Sequence, residues 1–273
     1  MKLSGKISIV TGSGRGIGKE IAKQFAKEGS FVVVLSRSKK NIEETVKEIK
    51  EAGGNAMSIQ TDISNNFQVK SLVKEVIKKR VKIDILVNNV AHLKPIGPIN
   101  EIDTDEWVNN VQTNLFGTFY FIKNVVPYMI KQRSGKIINL SGGGAFNPFP
   151  NFSAYGSSKA AIVRLTETLS KELKKYNIFI NGISPGAIKT KMTEEVIEYG
   201  KMSGDEYPKA MQVMSTGGAN IDNVLKLAIF LASNDSDGLS GKTISAQWDD
   251  LNFIKKNINK IQDSDKFTMK RIT

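Results

Sequence analysis

A serine, a tyrosine and a lysine with a distinctive spacing carry the chemical potential of this sequence. Ser141 directly follows residues 136–140, an apolar run typical of a buried strand. Tyr155 and Lys159 begin a stretch with helical periodicity, so both side chains are predicted to lie on one helix face. A nearby ammonium group lowers the pKa of a phenol from its ordinary value of about 10. With the Ser141 hydroxyl, the pair would form a proton-transfer site for an alcohol or carbonyl compound.

The helix that positions this pair is predicted to begin at Ser153, whose hydroxyl is suited to an N-cap. Its apolar stripe continues to Leu173, which favours packing against a sheet. The alternative interpretation is an ordinary helix in which Tyr155 and Lys159 only pack. Three aromatic residues before the helix would either line a substrate crevice or belong to the core: Phe146, Phe149 and Phe152.

A glycine-rich segment lies between the first predicted strand, 6–11, and the first predicted helix, 16–28. Residues 11–18 read TGSGRGIG, which has the spacing T-G-x-x-x-G-x-G. Glycines let a backbone turn tightly and approach a pyrophosphate, which then lies at the amino terminus of the helix. This segment therefore predicts a dinucleotide site, with a glycine-rich turn that binds nothing as the alternative.

Strand and helix patterns alternate along the rest of the chain. Further strands are predicted at 31–35, 55–61, 83–87, 178–183 and 242–246, and further helices at 41–52, 67–79, 104–131 and 221–231. This alternation predicts an α/β fold, a single-domain Rossmann-type doubly wound parallel sheet with helices on both faces. The domain is expected to span residues 1–250. Residues 251–273 are expected to form a helical tail that packs on the domain or on a neighbouring subunit, because four apolar residues recur there at helical spacing: Leu251, Ile254, Ile258 and Ile261.

Composition excludes several classes of protein. Of 273 residues, 40% are hydrophobic, which indicates a folded globular chain. No apolar run approaches the roughly 20 residues of a membrane helix, and the amino terminus does not resemble a signal peptide. There are no cysteines and only one histidine, His92, so neither thiol chemistry nor a metal site is expected. We expect a cytoplasmic protein.

The formal net charge of +12 raises the hypothesis of a nucleic-acid partner. The basic residues are scattered pairs without interleaved aromatic residues, which favours solvated helix faces over a nucleic-acid surface. Binding of anionic ligands is the next interpretation. We therefore expect small-molecule ligands, with no nucleic-acid and no membrane partner.

Four landmarks occur in a fixed order along the chain: the glycine segment, Asn88-Asn89, Ser141 with Tyr155-x-x-x-Lys159, and Pro185-Gly186. In this combination, residues 3–248 resemble the short-chain dehydrogenase/reductase family. The resemblance implies an NAD(P)-dependent oxidoreductase that acts on a carbonyl or alcohol, a lid at about 191–219, and a homodimer or homotetramer.

The resemblance also implies roles for individual residues. Tyr155 would be the general acid/base, Lys159 would lower its pKa and hold the nicotinamide ribose, and Ser141 would orient the reacting oxygen. Asn114 would hold a water that links Lys159 to solvent, or would only kink its helix. The implied cofactor contacts are Gly12, Ser13, Arg15, Gly16, Ile17, Gly18, Ser36, Arg37, Asp62, Ile63, Asn88, Tyr155, Lys159, Pro185, Gly186, Ile188 and Thr190.

Three features depart from the family pattern. Val90 and Ala91 replace the usual alanine and glycine after the Asn-Asn pair. The interval from Ser141 to Tyr155 is about one residue longer than is common. The last strand leads into Trp248-Asp249-Asp250 instead of Asp-Gly-Gly.

The end of the second strand predicts a preference for NADP(H) over NAD(H). Members that prefer NAD usually carry an aspartate there, whereas this chain has Ser36 followed by Arg37. With Arg15 from the glycine segment, two guanidinium groups could bind a 2′-phosphate; the alternative is that both face solvent. A non-enzymatic dinucleotide sensor is the rival function. Substrates from 3-oxoacyl thioesters to sugar nucleotides, steroid-like alcohols and simple sugars remain open.

Overall fold

A seven-stranded sheet forms the centre of the molecule in the computed structural model, which describes residues 1–271. All neighbouring strands are parallel, in the order β3-β2-β1-β4-β5-β6-β7. The strands are β1 (Ile7–Thr11), β2 (Phe31–Ser36), β3 (Asn55–Gln60), β4 (Ile85–Asn88), β5 (Gly135–Leu140), β6 (Ile178–Ser184) and β7 (Thr243–Ser245). The predicted doubly wound parallel sheet is confirmed.

Helices cover both faces of the sheet and bury it in two apolar layers. One layer packs against α1, α2 and α9, and the other packs against α3, α5 and the end of α6. The helices are α1 (Gly16–Lys27), α2 (Lys39–Glu51), α3 (Asn66–Arg80), α4 (Thr104–Val111), α5 (Gly117–Gln132), α6 (Ser153–Leu173), α7 (Lys191–Glu198), α8 (Glu206–Thr216), α9 (Ile221–Ala232), α10 (Leu251–Lys256) and α11 (Ile258–Gln262).

Two local predictions differ from the structure. The helix expected at 104–131 is interrupted by a π-helical turn at Gln112–Phe116, where the inward Asn114 bonds to other segments instead of to solvent. The expected N-cap at Ser153 is wrong, because Phe152 holds that position. The Ser153 hydroxyl instead accepts a bond from Nε1 of Trp107 at 3.2 Å, a contact between α6 and α4.

The segment after β6 and the end of the chain are both ordered. Within residues 191–219, α7 and α8 are joined by a 3₁₀ turn at Gly200–Ser203. The tail contains α10 and α11, which are separated at Asn257, followed by a non-helical segment at 263–271, and Ile254 and Ile261 are fully buried. Residues 272–273 of the expected tail lie outside the described residues. Within the described chain, each helix is too short or too polar to span a membrane.

Candidate active site

A crevice of about 1260 Å³ runs along the carboxyl ends of the strands. It crosses the boundary between β1 and β4, where the strand order reverses direction. Parallel sheets bind ligands at such switch points, because the loops that follow the two strands diverge there. The glycine segment and the end of β2 line one part, and Ser141, Tyr155 and Lys159 line another.

The glycine segment is shaped by close approach of two loops. Gly12 has a φ of +64°, and a Cβ placed there would lie 2.8 Å from the Val90 side chain. A Cβ at Gly18 would lie 2.6 Å from the Gly12 carbonyl oxygen. Asn89 holds the arrangement by donating from its side chain to the Thr11 carbonyl oxygen at 3.0 Å. Val90 is one of the residues that depart from the family pattern, and its methyl group packs against the glycine segment.

The open amino terminus of α1 faces this part of the crevice. Gly16 and Ile17 line it, and the N-cap residue, Arg15, makes no side-chain bond to the helix. The free backbone N–H groups and the helix dipole both favour an anion at this position. These features fit the pyrophosphate of a dinucleotide.

The end of β2 lines the same crevice with cationic and hydroxyl groups. Both Arg15 and Arg37 are exposed at its wall. The Ser36 hydroxyl accepts a bond from the Ser38 backbone N–H at 3.2 Å, and Gln60 donates to the Arg37 carbonyl oxygen at 2.9 Å. The Arg37 backbone is therefore held in place, and its exposed side chain lies at the crevice wall.

Asp62 and Ile63 close the wall after β3. One carboxylate oxygen of Asp62 accepts bonds from the Ser64 hydroxyl at 2.7 Å and its N–H at 3.0 Å. Beyond β6, Pro185, Gly186, Ile188 and Thr190 line the crevice. Thr190 directly precedes α7, so it links this wall to the segment expected to be the lid.

Tyr155 and Lys159 are buried on one face of α6, as their spacing predicts. The tyrosine hydroxyl lies beside the Gly142 backbone, and Lys159 Nζ donates to the Leu140 carbonyl oxygen at 2.7 Å. Burial raises the pKa of Tyr155 to about 12 and lowers the pKa of Lys159 to about 8. The cause of this upward shift is desolvation, which opposes the lowering expected from a charged neighbour, and the effect of the Lys159 ammonium group on the tyrosine stays a prediction.

Ser141 carries a hydroxyl without a partner. Its side chain is 3% exposed and lines the crevice, and among residues 1–271 no protein group hydrogen-bonds to Oγ. Leaving a buried polar group unpaired costs about 1–3 kcal/mol. A ligand oxygen in the crevice would satisfy this hydroxyl, which is the behaviour expected of a substrate-orienting group.

Asn114 connects the crevice wall to α6. Its Oδ1 accepts from the His92 backbone N–H at 2.7 Å. Its Nδ2 lies within bonding distance of the His92 carbonyl oxygen, Asn110 Oδ1 and Ser158 Oγ, at 2.8–3.1 Å. Ser158 donates in turn to the Tyr155 carbonyl oxygen at 2.8 Å. Asn114 is thus bonded directly to the His92 backbone and, through the Ser158 hydroxyl, indirectly to the Tyr155 backbone.

Four residues with predicted site roles lie behind the crevice wall. Ser13 bridges β1 and β2 by donating to the Val10 carbonyl oxygen at 2.6 Å and accepting from the Leu35 N–H at 3.0 Å. Asn88 donates to Asn139 at 2.8 Å, which ties β4 to β5. The four residues outside the lining are Ser13, Gly18, Asn88 and Asn114.

The crevice wall also includes His92, for which the sequence predicted no site role, and the three phenylalanines for which it left crevice or core open. His92 lines the wall, and burial lowers the pKa of its imidazole. Phe149 stacks on the fully buried Phe152 with ring centroids 4.4 Å apart, whereas Phe146 is exposed. All three phenylalanines line the crevice, and Phe152 also belongs to the apolar cluster around Tyr155. Asn89 had no predicted role of its own, and the sequence pointed to it only as the second residue of the Asn88-Asn89 pair.

The chain is similar to known oxidoreductases over most of its length. The family model described as short chain dehydrogenase matches residues 6–199. A 3-oxoacyl-[acyl-carrier-protein] reductase of Thermotoga maritima is 34% identical over 245 residues, 89% of this chain and 97% of the relative. NAD⁺-bound xylitol dehydrogenase has a TM-score of 0.84 at 30% identity, with 90% of this chain and 98% of that chain covered. A gluconate 5-dehydrogenase of Burkholderia cenocepacia, in complex with NADP and tartrate, has a TM-score of 0.80 at 28% identity, with coverages of 89% and 94%. The matched family model, the sheet order and the Ser141, Tyr155 and Lys159 site agree, and the chain belongs to the short-chain dehydrogenase/reductase family of oxidoreductases.

Proposed function

We propose that this protein transfers hydride between NADP(H) and a carbonyl or alcohol substrate, with Tyr155 as the general acid/base. The observation that carries the proposal is the unpaired, buried Ser141 hydroxyl in the same crevice as Tyr155 and Lys159. A reacting oxygen placed there would accept bonds from two hydroxyl groups. No feature of the site favours a non-enzymatic sensor, since all three catalytic side chains are present.

In the proposed reaction, NADP(H) supplies or accepts the hydride when it is bound. During reduction, Tyr155 Oη donates its proton to the substrate oxygen while Ser141 Oγ holds that oxygen in place. In the reverse direction, Tyr155 accepts the hydroxyl proton of the alcohol. Lys159 supports that step, because its ammonium group stabilises the phenolate that forms beside it. Asn114 lies outside the crevice lining and positions the segments that carry His92 and Tyr155. We also propose that it takes part in a water relay between Lys159 and solvent.

The proposed preference for NADP(H) rests on Ser36, Arg37 and Arg15. None carries a carboxylate that would repel a 2′-phosphate, and both guanidinium groups lie at the crevice wall. The two similar structures are described with different cofactors, NAD⁺ for the xylitol enzyme and NADP for the gluconate enzyme. The cofactors of these two relatives therefore favour neither NAD(H) nor NADP(H) for this chain.

The proposal is tested by measuring NADPH consumption with a panel of ketones, 3-oxoacyl esters and sugars. Tyr155→Phe should lower kcat by about 10²–10⁴-fold, the usual contribution of a general acid, with little change in NADPH affinity measured by calorimetry. Tyr176→Phe, which alters a tyrosine outside the crevice, is the matched control. Unchanged kcat in Tyr155→Phe would overturn the assignment.

We also propose a domain of residues 1–250 with a lid at 191–219, because Met192 and Val196 of α7 pack on the apolar cluster around Tyr155. A homodimer or homotetramer is proposed because α4, the π-helical turn and the start of α5 expose apolar side chains at Val108, Phe116 and Phe119. Multi-angle light scattering would measure the oligomer. We further propose a cytoplasmic location, which fractionation of the producing cell would test.

A further inference from the structure

The crevice continues past the catalytic residues to the edge of the sheet. Thr243 and Ser245 of β7 line it there, together with Phe267 and Thr268 of the carboxyl-terminal tail. Ser141 follows β5, and only β6 lies between β5 and β7. Because neighbouring strands are about 4.8 Å apart, this region lies about 10 Å from Ser141 across the sheet. It is separate from the glycine segment, which lies towards the opposite edge.

Thr243 presents a second unpaired hydroxyl in the crevice. Its side chain is 5% exposed, and no protein group among residues 1–271 bonds to Oγ1. Buried hydroxyl groups are normally paired, and exceptions require an explanation. A polar ligand atom in this part of the crevice would provide the missing partner, as for Ser141.

The tail runs beside β7 at this edge of the crevice and is bonded to both β7 and α6. The Thr243 N–H donates to the Phe267 carbonyl oxygen at 2.9 Å, and Lys242 Nζ donates to the Ser264 carbonyl oxygen at 2.6 Å. The Met269 N–H donates to Glu167 of α6. Phe267 has a φ of +61°, and its half-buried side chain packs against the apolar layer that contains Ile244 while it also lines the crevice.

We infer that Thr243 and Phe267 form a remote substrate subsite that recognises the far end of an extended substrate. Phe267 would pack against an apolar chain, and Thr243 Oγ1 would bond to a hydroxyl at the end of that chain. The inference rests on the proposed function for the position of the reacting carbonyl. The ligand class is a ketone or secondary alcohol with a long apolar chain that ends in a hydrogen-bonding group.

Three ketones test the subsite: 2-butanone, 2-nonanone and 8-hydroxyoctan-2-one. The last two have the same number of heavy atoms and differ only in a terminal methyl or hydroxyl group. For each, kcat/KM with NADPH and Kd by calorimetry with NADP⁺ present would be measured. The variants are Thr243→Val and Phe267→Ala, and Phe253→Ala is the control because this tail phenylalanine lies outside the crevice.

The wild-type protein should prefer 8-hydroxyoctan-2-one to 2-nonanone, and Thr243→Val should reduce that preference about tenfold. Its melting temperature should not fall, because the removed hydroxyl has no partner. Phe267→Ala should reduce the preference for both long ketones over 2-butanone about tenfold. Phe253→Ala should keep all wild-type ratios.

Equal wild-type affinity for the two long ketones, or a uniform loss for all three in Thr243→Val, would overturn the subsite. Failure of the proposed function has a different signature. In that case no carbonyl compound consumes NADPH, while the ratios of Kd values still report whether Thr243 and Phe267 distinguish the ketones.

Discussion

Tyr155 is the residue at which burial and catalysis impose opposite demands. Its folded pKa of about 12 lies above the ordinary 10.0, so the folded state holds the phenolic proton more tightly than the unfolded state. The proposed alcohol oxidation requires the same group to lose that proton. Lys159, whose own pKa is lowered by burial, is the cation placed to stabilise the phenolate.

This pKa predicts a pH-dependent stability difference between the wild type and Tyr155→Phe. The wild type should lose stability relative to the variant as pH rises above 10, because deprotonation then favours the unfolded state. The difference should reach about 1 kcal/mol at pH 11, measured by urea denaturation without cofactor. Tyr176→Phe is the control for general alkaline effects. Parallel profiles for the wild type and Tyr155→Phe would contradict the raised pKa.

Arg37 provides the residue-scale test of cofactor preference. Arg37→Ala should lower kcat/KM for NADPH by about 10–100-fold, since it removes a charge-assisted bond to a 2′-phosphate. The value for NADH should change much less, because NADH lacks that phosphate. Lys40→Ala removes an exposed cation outside the crevice and should leave kcat/KM unchanged for both NADPH and NADH. Equal losses for both cofactors, or a wild-type preference for NADH, would refute the assignment.

At the scale of elements, the π-helical turn is the feature that joins the wall to α6. It places Asn114 inward, where one amide bonds to the His92 backbone, Asn110 and Ser158. A regular helix through residues 112–116 would turn this side chain by a different angle. The π-helical turn therefore helps to position the crevice wall, because it lets Asn114 reach the His92 backbone.

Asn114→Ala should destabilise the protein by roughly 2–4 kcal/mol, because several buried polar groups lose their partner together. Chemical denaturation would measure the loss, and Asn109→Ala, on the exposed side of α4, should cost little. If Asn114 also serves the proposed relay, kcat should fall under conditions where the variant is fully folded. A free energy of unfolding equal to that of the wild type would show that the network is not structural.

At the scale of the whole molecule, the tail completes the apolar layer around α9 and closes the β7 edge. Ile254 and Ile261 are buried in that layer, and the Ser240 N–H donates to Gln262 Oε1 at 2.7 Å. An edge strand without such cover exposes unpaired backbone groups. The tail thus contributes to the core, to the sheet edge and to the crevice.

Truncation after Asp250 should lower stability by about 3–6 kcal/mol, the value of burying two isoleucine side chains. Differential scanning calorimetry and light scattering would report melting and oligomer size together. The double variant Ile254→Ala, Ile261→Ala should reproduce most of the loss, whereas the exposed Lys256→Ala should not. Unchanged melting and mass after truncation would refute the role of the tail.

The sequence alone determined the features that depend on local pattern. Apolar runs and helical periodicity identified the parallel sheet, because burial on both faces requires them. The glycine segment and the i, i+4 spacing of Tyr155 and Lys159 placed two parts of the site, because each depends on neighbouring residues along the chain.

Only the tertiary structure decided the environment of those residues. The direction of the Tyr155 pKa shift depends on how completely α6 is buried, which spacing does not report. The bonds of Asn114 and the approach of Phe267 to Thr243 join segments that periodicity describes separately. Their positions follow from how the elements pack, because long-range contacts set both desolvation and the choice of hydrogen-bond partners.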